Sequence, residues 1–266
     1  MRRPFHKMHG LGNDFVIVDA RHGPFDVTPA LAKAIADRRT GVGCDQLIVL
    51  EPSDVADLRM RIWNSDGSEV ESCGNATRCV VQLTGAGQIE TAGGMLQGSG
   101  LGAEVEVSLP EPRFEWDHIP LAYPMDTAVL PLSWDELEHP FAVNVGNPPL
   151  VFFVPDTRET PLDELGPRIE NDPAFPERIN VNVCTYVRDV LKLRTFERGA
   201  GETLACGTGA CASAVAAIAT KRASSPVTVD MSGGSLTISW AAGSPIRMRG
   251  SATHVYSGEL ELEALQ

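Results

Sequence analysis

Apolar residues fall along this chain in short runs broken by turn formers, and the periodicity of those runs predicts its elements. After Gly12-Asn13, the run Phe15-Val16-Ile17-Val18 predicts a short buried strand. Thr28 followed by Pro29 predicts a helix start, with Leu31 and Ile35 on one face and an end toward Arg38. Gly41-Val42-Gly43 reads as a turn, 47–50 as a second strand and 58–63 as a third, which delivers a polar loop over 64–68. From 74 to 83 the pattern is helical and stops at Thr84-Gly85, leaving Val80, Val81 and Leu83 to pack. Glycines between 85 and 102 then punctuate short strands, and 103–109 alternates most clearly.

Pro110, Pro112, Pro120, Pro124 and Pro131 follow, a density that excludes helix and sheet interior and marks a seam between halves. The same order then recurs. Strands are expected near 141–143, at 150–154, near 180–187 and at 191–196, with a helix from Thr160-Pro161 and another from Cys206 through Ala219. Further strands are expected at 227–231, 235–240, 246–248 and 255–260. The recurrence is a displaced copy. Ser72-Cys73-Gly74-Asn75-Ala76-Thr77-Arg78 lies over Ala205-Cys206-Gly207-Thr208-Gly209-Ala210-Cys211, 133 residues on in a chain of 266. Arg59-Met60-Arg61-Ile62-Trp63 lies over Lys192-Leu193-Arg194-Thr195-Phe196, and Glu69 over Glu202, at the same displacement. Gly12-Asn13 lies over Gly146-Asn147 at 134 and Thr28-Pro29 over Thr160-Pro161 at 132. The expected fold is therefore α+β (mixed α/β), with two pseudo-symmetric lobes from internal duplication. The lobes are expected at 1–118, carrying Cys73, and 119–266, carrying Cys206, the last strand being able to pack on the N-terminal lobe. A pseudo-twofold axis would bring the two cysteines face to face across a site between the lobes.

Charge and cysteine content narrow the function. A net charge of −13 and a pI near 4.9 leave no basic stripe for nucleic acid. No apolar run reaches the length of a membrane span and the first residues lack the core of a signal peptide, so a cytoplasmic location is expected. In that setting free thiols are the expectation for all six cysteines. Their spacings miss the zinc patterns and no metal site is expected. Cys44, Cys79, Cys184 and Cys211 are expected as small buried apolar residues. Lys7, Lys33, Lys192 and Lys221 lack a recognisable context for a pyridoxal phosphate Schiff base, and the glycine-rich 199–201 and 207–209 match no dinucleotide or phosphate-loop spacing.

Cys73 and Cys206 differ from the other four in sitting just before helices, where unpaired backbone N–H groups lower a thiol below its ordinary value near 8.5. Two such groups on opposite faces of a carbon could invert it, one as thiolate removing a hydrogen and the other as thiol donating one. The N–H groups near Gly74-Asn75 and Gly207-Thr208 could stabilise charge on an adjoining carboxylate.

With these residues in place, the chain resembles the diaminopimelate epimerase family over nearly its whole length. The matching stretches are Lys7-Met8-His9-Gly10-Leu11-Gly12-Asn13-Asp14-Phe15, Gly41-Val42-Gly43-Cys44-Asp45-Gln46 and Asn64-Ser65-Asp66-Gly67-Ser68-Glu69. They continue with Cys73-Gly74-Asn75, Gly146-Asn147-Pro148, Arg178-Ile179-Asn180-Val181, Glu197-Arg198-Gly199 and Glu202 through Gly209. The resemblance implies lobes each wrapped on a central helix, a homodimer, and a cofactor-independent isomerase acting on a small amino acid, interconverting LL- and meso-diaminopimelate for lysine and cell-wall synthesis. It implies Cys73 and Cys206 as the acid–base pair. Asn13, Gln46, Asn64, Asn147, Asn180, Glu197 and Arg198 are implied as substrate contacts, beside Gly74, Asn75, Gly207 and Thr208 at the helix starts. Glu197 and Arg198 also fit by chemistry, since a substrate with a distal ammonium and carboxylate needs an anion and a cation.

Two positions depart from the family pattern. Pro149 stands where the family has histidine and can neither donate nor accept a proton; Ala76 stands where it has glycine and adds a methyl. Three other readings stay open: a racemase of another amino acid on the same scaffold, a redox switch in which Cys73 and Cys206 form a disulfide, and a binding module without catalysis.

Overall fold

A computed structural model describes residues 2–71, 73–100 and 104–265. Ser72, in the first cysteine stretch, and residues 101–103, including the start of the expected 103–109 strand, lie outside the described residues. The chain forms two compact units. One comprises the chain up to Ser108 together with the chain from Arg249 onward, and the other runs from Leu109 to Met248.

In the first unit Asn13–Asp19 runs parallel to Gln46–Glu51, with helix α1 (Pro29–Ala36) in the crossover. Thr28 Oγ1 accepts from Leu31 N at 3.2 Å and Pro29 takes the first helical position, as the sequence predicts. α1 buries Ala32, Ile35 and Ala36 in a cluster with Leu47, Val49 and Trp63. Gln46–Glu51 pairs antiparallel with Leu58–Asn64, which pairs with the two-residue strand Glu69–Val70 and, in parallel, with Gln88–Thr91. Gly94–Ser99 and Val105–Leu109 complete this series as an antiparallel meander. Helix α2 (Gly74–Thr84) packs against Arg2–Gly10, Asn13–Asp19, Gly94–Ser99 and Thr253–Glu261, and ends at Gly85 in the left-handed conformation with φ 73°. Its expected packing residues Val80 and Val81 are buried, whereas Leu83 is only half-buried.

The second unit repeats this order. Pro149–Phe153 runs parallel to Asn180–Val187 with helix α3 (Leu162–Glu170) between them. Asn180–Val187 pairs antiparallel with Val190–Glu197, which pairs with the short strand Gly201–Thr203 and, in parallel, with Val227–Met231. Gly234–Ser239 continues antiparallel. Helix α4 (Gly207–Ala219) packs against Pro149–Phe153, Asn180–Val187, Val190–Glu197, Val227–Met231 and Gly234–Ser239. Its alanine-rich sequence favours helix and presents no polar face, which suits a helix enclosed by strands on all sides.

The duplication extends to individual ladder pairs. Phe15 opposite Gln46 becomes Pro149 opposite Asn180, and Trp63 opposite Glu69 becomes Phe196 opposite Glu202. Arg61 holds Glu69 through two bonds of 2.7 and 3.0 Å, and Arg194 holds Glu202 through two of 2.7 and 2.9 Å. Gly12 and Gly146 both take positive φ, 89° and 110°.

Three expectations change. The strand Arg2–Gly10 was not expected, because its charged and polar residues break the alternation; it is held by antiparallel partners on both sides. Thr160-Pro161 does not reproduce Thr28-Pro29. Pro161 itself occupies the N-cap position of α3 and no side chain caps that helix. A small hairpin, Ser133–Trp134 with Leu137–Glu138, closes the proline-rich stretch, where Trp134 joins the core of the second unit. Before it, residues 110–132 hold only an isolated bridge from Arg113 to Asn144. No helix among the described residues is long and apolar enough to cross a membrane.

Candidate active site

Both singled-out cysteines are N-caps in extended conformation, Cys73 of α2 at φ −150° and Cys206 of α4 at φ −120°. Gly74 and Gly207 are the first helical residues, so each sulfur is placed at the open end of a set of backbone N–H groups.

In the first unit Cys73 Sγ approaches Asn13 Oδ1 at 3.9 Å, and Asn75 Nδ2 donates to the same oxygen at 3.2 Å. Asn13 Nδ2 in turn donates to Asp45 Oδ2 at 2.9 Å. Behind it lies a charged cluster. Arg38 bonds both oxygens of Asp14, at 3.1 and 2.7 Å, and reaches Asp45 Oδ1 at 2.7 Å, while Lys7 Nζ lies 2.5 Å from Asp14 and also donates to the Gly43 carbonyl. Burial pushes Asp14 up, but Arg38 and Lys7 outweigh it and hold the carboxyl well below the usual range. Asn13 is thus anchored from the side away from the sulfur by fixed charges. Gln46 Nε2 donates to Asn64 Oδ1 at 2.9 Å, and Asn64 is fixed by Ser68.

In the second unit Gly209 N donates to Cys206 Sγ at 3.3 Å, the Thr208 hydroxyl lies 3.4 Å from it, and Asn147 Nδ2 donates to Thr208 Oγ1 at 3.0 Å. Asn147 thereby repeats the place of Asn13, and Thr208 that of Asn75. Asn180 Oδ1 accepts from Arg198 N at 2.7 Å, the Arg198 guanidinium donates to the Glu177 carbonyl, and Glu197 accepts from Thr203 Oγ1 at 2.6 Å. Pro149 is buried at the head of its strand opposite Asn180.

Cys206 is 4 % exposed. Burial pushes its thiol well above the ordinary value and the Glu197 carboxylate adds to the effect, against the Thr208 hydroxyl and the Gly209 N–H. The expectation that a helix start would lower the thiol is overturned at Cys206, because desolvation and a neighbouring anion outweigh the helix end. Cys44, Cys79, Cys184 and Cys211 are buried as expected, with Cys44 pushed up to about 11 and Cys79 to about 12 by burial.

Sequence reasoning missed the supporting residues. Lys7, Asp14, Arg38 and Asp45 carry Asn13; Asp14 and Asp45 adjoin Asn13 and Gln46 in sequence, which was the available signal. Glu170, 6 % exposed, bonds Gly199 N and Arg178 and so fixes the loop after Glu197; it lies on α3, where no motif marked it. Arg78, fully buried on α2, bonds Asn75 Oδ1 at 2.9 Å and the Ser251 carbonyl. Among the described residues no group of three His, Cys, Asp or Glu could hold a metal ion.

The doubled sheet-and-helix fold has counterparts among solved structures. The chain matches the phenazine biosynthesis PhzF-family protein of Enterococcus faecalis with a TM-score of 0.72 at 13 % identity, over 98 % of this chain and 99 % of that one. It matches a probable proline racemase of Agrobacterium radiobacter with a TM-score of 0.68 at 14 % identity, over 98 % and 93 %. At the level of sequence, the diaminopimelate epimerase family profile matches residues 5–107 and 141–255. Proteins named diaminopimelate epimerase from Rhizorhabdus wittichii and Sphingopyxis alaskensis are 62 % and 61 % identical, covering 99 % and 97 % of this chain and 97 % of each relative. The chain belongs to the diaminopimelate epimerase family.

Proposed function

We propose that this protein is an isomerase that inverts one α-carbon of diaminopimelate, interconverting the LL and meso forms, with Cys73 and Cys206 acting from opposite faces of that carbon. In one direction Cys206, whose thiol burial holds in the protonated form, is the acid, and Cys73 is the thiolate that takes the α-hydrogen as a proton. The electron pair left on carbon is delocalised into the substrate carboxylate, which the N–H groups at the starts of α2 and α4 stabilise. Cys206 then delivers its proton to the other face. Product leaves an enzyme with the opposite protonation pattern, which suits the reverse reaction.

The observation that carries this reading is the matched placement of the cysteines as N-caps of the two central helices, in a chain 62 % identical to a protein named diaminopimelate epimerase. Two buried side-chain oxygens without a hydrogen-bond partner among the described residues, Gln46 Oε1 and Asn147 Oδ1, add support. Both belong to the expected contact set and both can accept from a substrate ammonium. Asn64, Asn180, Glu197 and Arg198 complete the proposed substrate contacts. The homodimer implied by the resemblance belongs to the same proposal and is read by light scattering.

Incubation with LL-diaminopimelate in D₂O tests the mechanism. The expected outcome is deuterium at the α-carbon together with conversion to the meso form, each reduced by about 10³-fold or more in Cys73→Ala and in Cys206→Ala. Inversion that survives either change removes the two-thiol scheme. Inversion of lysine or histidine but not diaminopimelate would move the substrate to another amino acid.

A further inference from the structure

Thr253–Glu261 pairs antiparallel with Arg2–Gly10, placing Ser257 opposite His6 and His254 opposite Met8. Between Lys7 and Met8 the register slips, and Val255 is left without a partner. Residues three apart on a regular strand point to opposite faces, but the extra residue restores His254 to the face that carries Ser257 and His6. Three donor atoms converge there. His6 Nδ1 lies 3.3 Å from His254 Nε2, and Ser257 Oγ lies 3.0 Å from each. His254 and Ser257 are exposed and His6 is half-buried, so the group opens to solvent.

A tetrahedral zinc ion bound at about 2.0–2.1 Å sets its donors about 3.3 Å apart, which is the separation of the two imidazole nitrogens. We propose that His6 and His254 bind a borderline divalent metal ion such as zinc or nickel, with the Ser257 hydroxyl on the ion or on a water of its shell. Imidazole suits these metals, whereas a hydroxyl is a weaker ligand, so the two histidines carry the affinity and water fills the remaining positions. The two histidines are 248 residues apart in sequence and meet only in the folded first unit. A bound ion therefore staples the last strand of that unit to its first and stabilises the folded state by mass action.

Zinc chloride titrated into the full chain tests this, read by imidazole ¹H–¹⁵N NMR and by thermal unfolding. The His6 and His254 nitrogen signals are expected to move together, with a rise of several degrees in melting temperature. His6→Gln or His254→Gln should weaken binding at this site at least tenfold and abolish the rise; Ser257→Ala should weaken it less. Unmoved imidazole signals at millimolar zinc overturn the site. Moving signals with an unchanged melting temperature overturn the staple, and a rise that survives both histidine changes places the stabilising ion elsewhere, the thiols being the obvious alternative.

Discussion

The two central helices occupy matching places and are filled by opposite means. Cys73, Asn75, Ala76 and Arg78 of the first correspond, 133 residues on, to Cys206, Thr208, Gly209 and Cys211 of the second. In α2 the innermost positions include a guanidinium, fully buried and bonded to Asn75; in α4 the same position is a buried thiol among alanines. Asn13 is anchored by Asp45, which is tied to Arg38, whereas Asn147 bonds a threonine hydroxyl. Duplication has kept the frame that aims each sulfur, while the groups that govern ionisation have diverged. Cys206 is accordingly raised by burial and by Glu197, in surroundings that Cys73 does not share.

The largest expected consequence concerns Arg78. Arg78→Ala strands the buried Asn75 Oδ1 and the half-buried Ser251 carbonyl and opens a cavity, at a cost of about 4 kcal/mol, whereas Cys211→Ala at the matching position should cost about 1 kcal/mol. Urea unfolding of the two variants checks this, and equal costs would mean that the buried cation is no more than a space filler. Next is Gly209. A Cβ there would lie 2.7 Å from Asn182 Oδ1 and 2.8 Å from Thr195 Oγ1, although Ala76 already carries one at the matching place with no exposure. Gly209→Ala should therefore destabilise by about 2 kcal/mol, and a neutral result would show that Asn182 and Thr195 give way to admit the methyl.

The smallest effect separates the thiols directly. With Glu197→Gln one of the two influences raising Cys206 is removed, so its thiolate fraction near pH 8 should increase, as read by a faster rate of iodoacetamide labelling at Cys206. The stability consequence has a definite sign. Cys206 keeps its proton in the folded state to a higher pH than in the unfolded chain, so above about pH 8.5 the unfolded state binds fewer protons and stability falls as pH rises. Glu197→Gln should make that decline shallower. Unchanged labelling would leave desolvation as the sole cause.

Much of the frame was legible in the sequence because the copy is displaced almost uniformly: the Arg61–Glu69 pair and its counterpart Arg194–Glu202 were visible as matched letters before they were visible as ion pairs. Helix starts at Thr28, Cys73 and Cys206 were legible from local chemistry. What stayed hidden depends on distant partners. Arg2–Gly10 is held by partners on both edges that its own charged and polar letters do not announce, and Lys7 is buried where Asp14 and the Gly43 carbonyl receive its charge. The burial of Arg78 is likewise invisible in a helix whose letters read as polar. Glu197 was expected beside the substrate, and its effect on Cys206 could not be read from residues nine positions apart.

The first strand has a consequence for synthesis. As the chain is made, Arg2–Gly10 finds one edge partner at once in Asn13–Asp19, but the other, Thr253–Glu261, is translated only after the whole stretch from Leu109 to Met248. The N-terminal portion of the nascent chain therefore waits with an open sheet edge while the later unit can already close. This is an interval in which a chaperone, or a neighbouring nascent chain, competes for the place its own terminal strand will take.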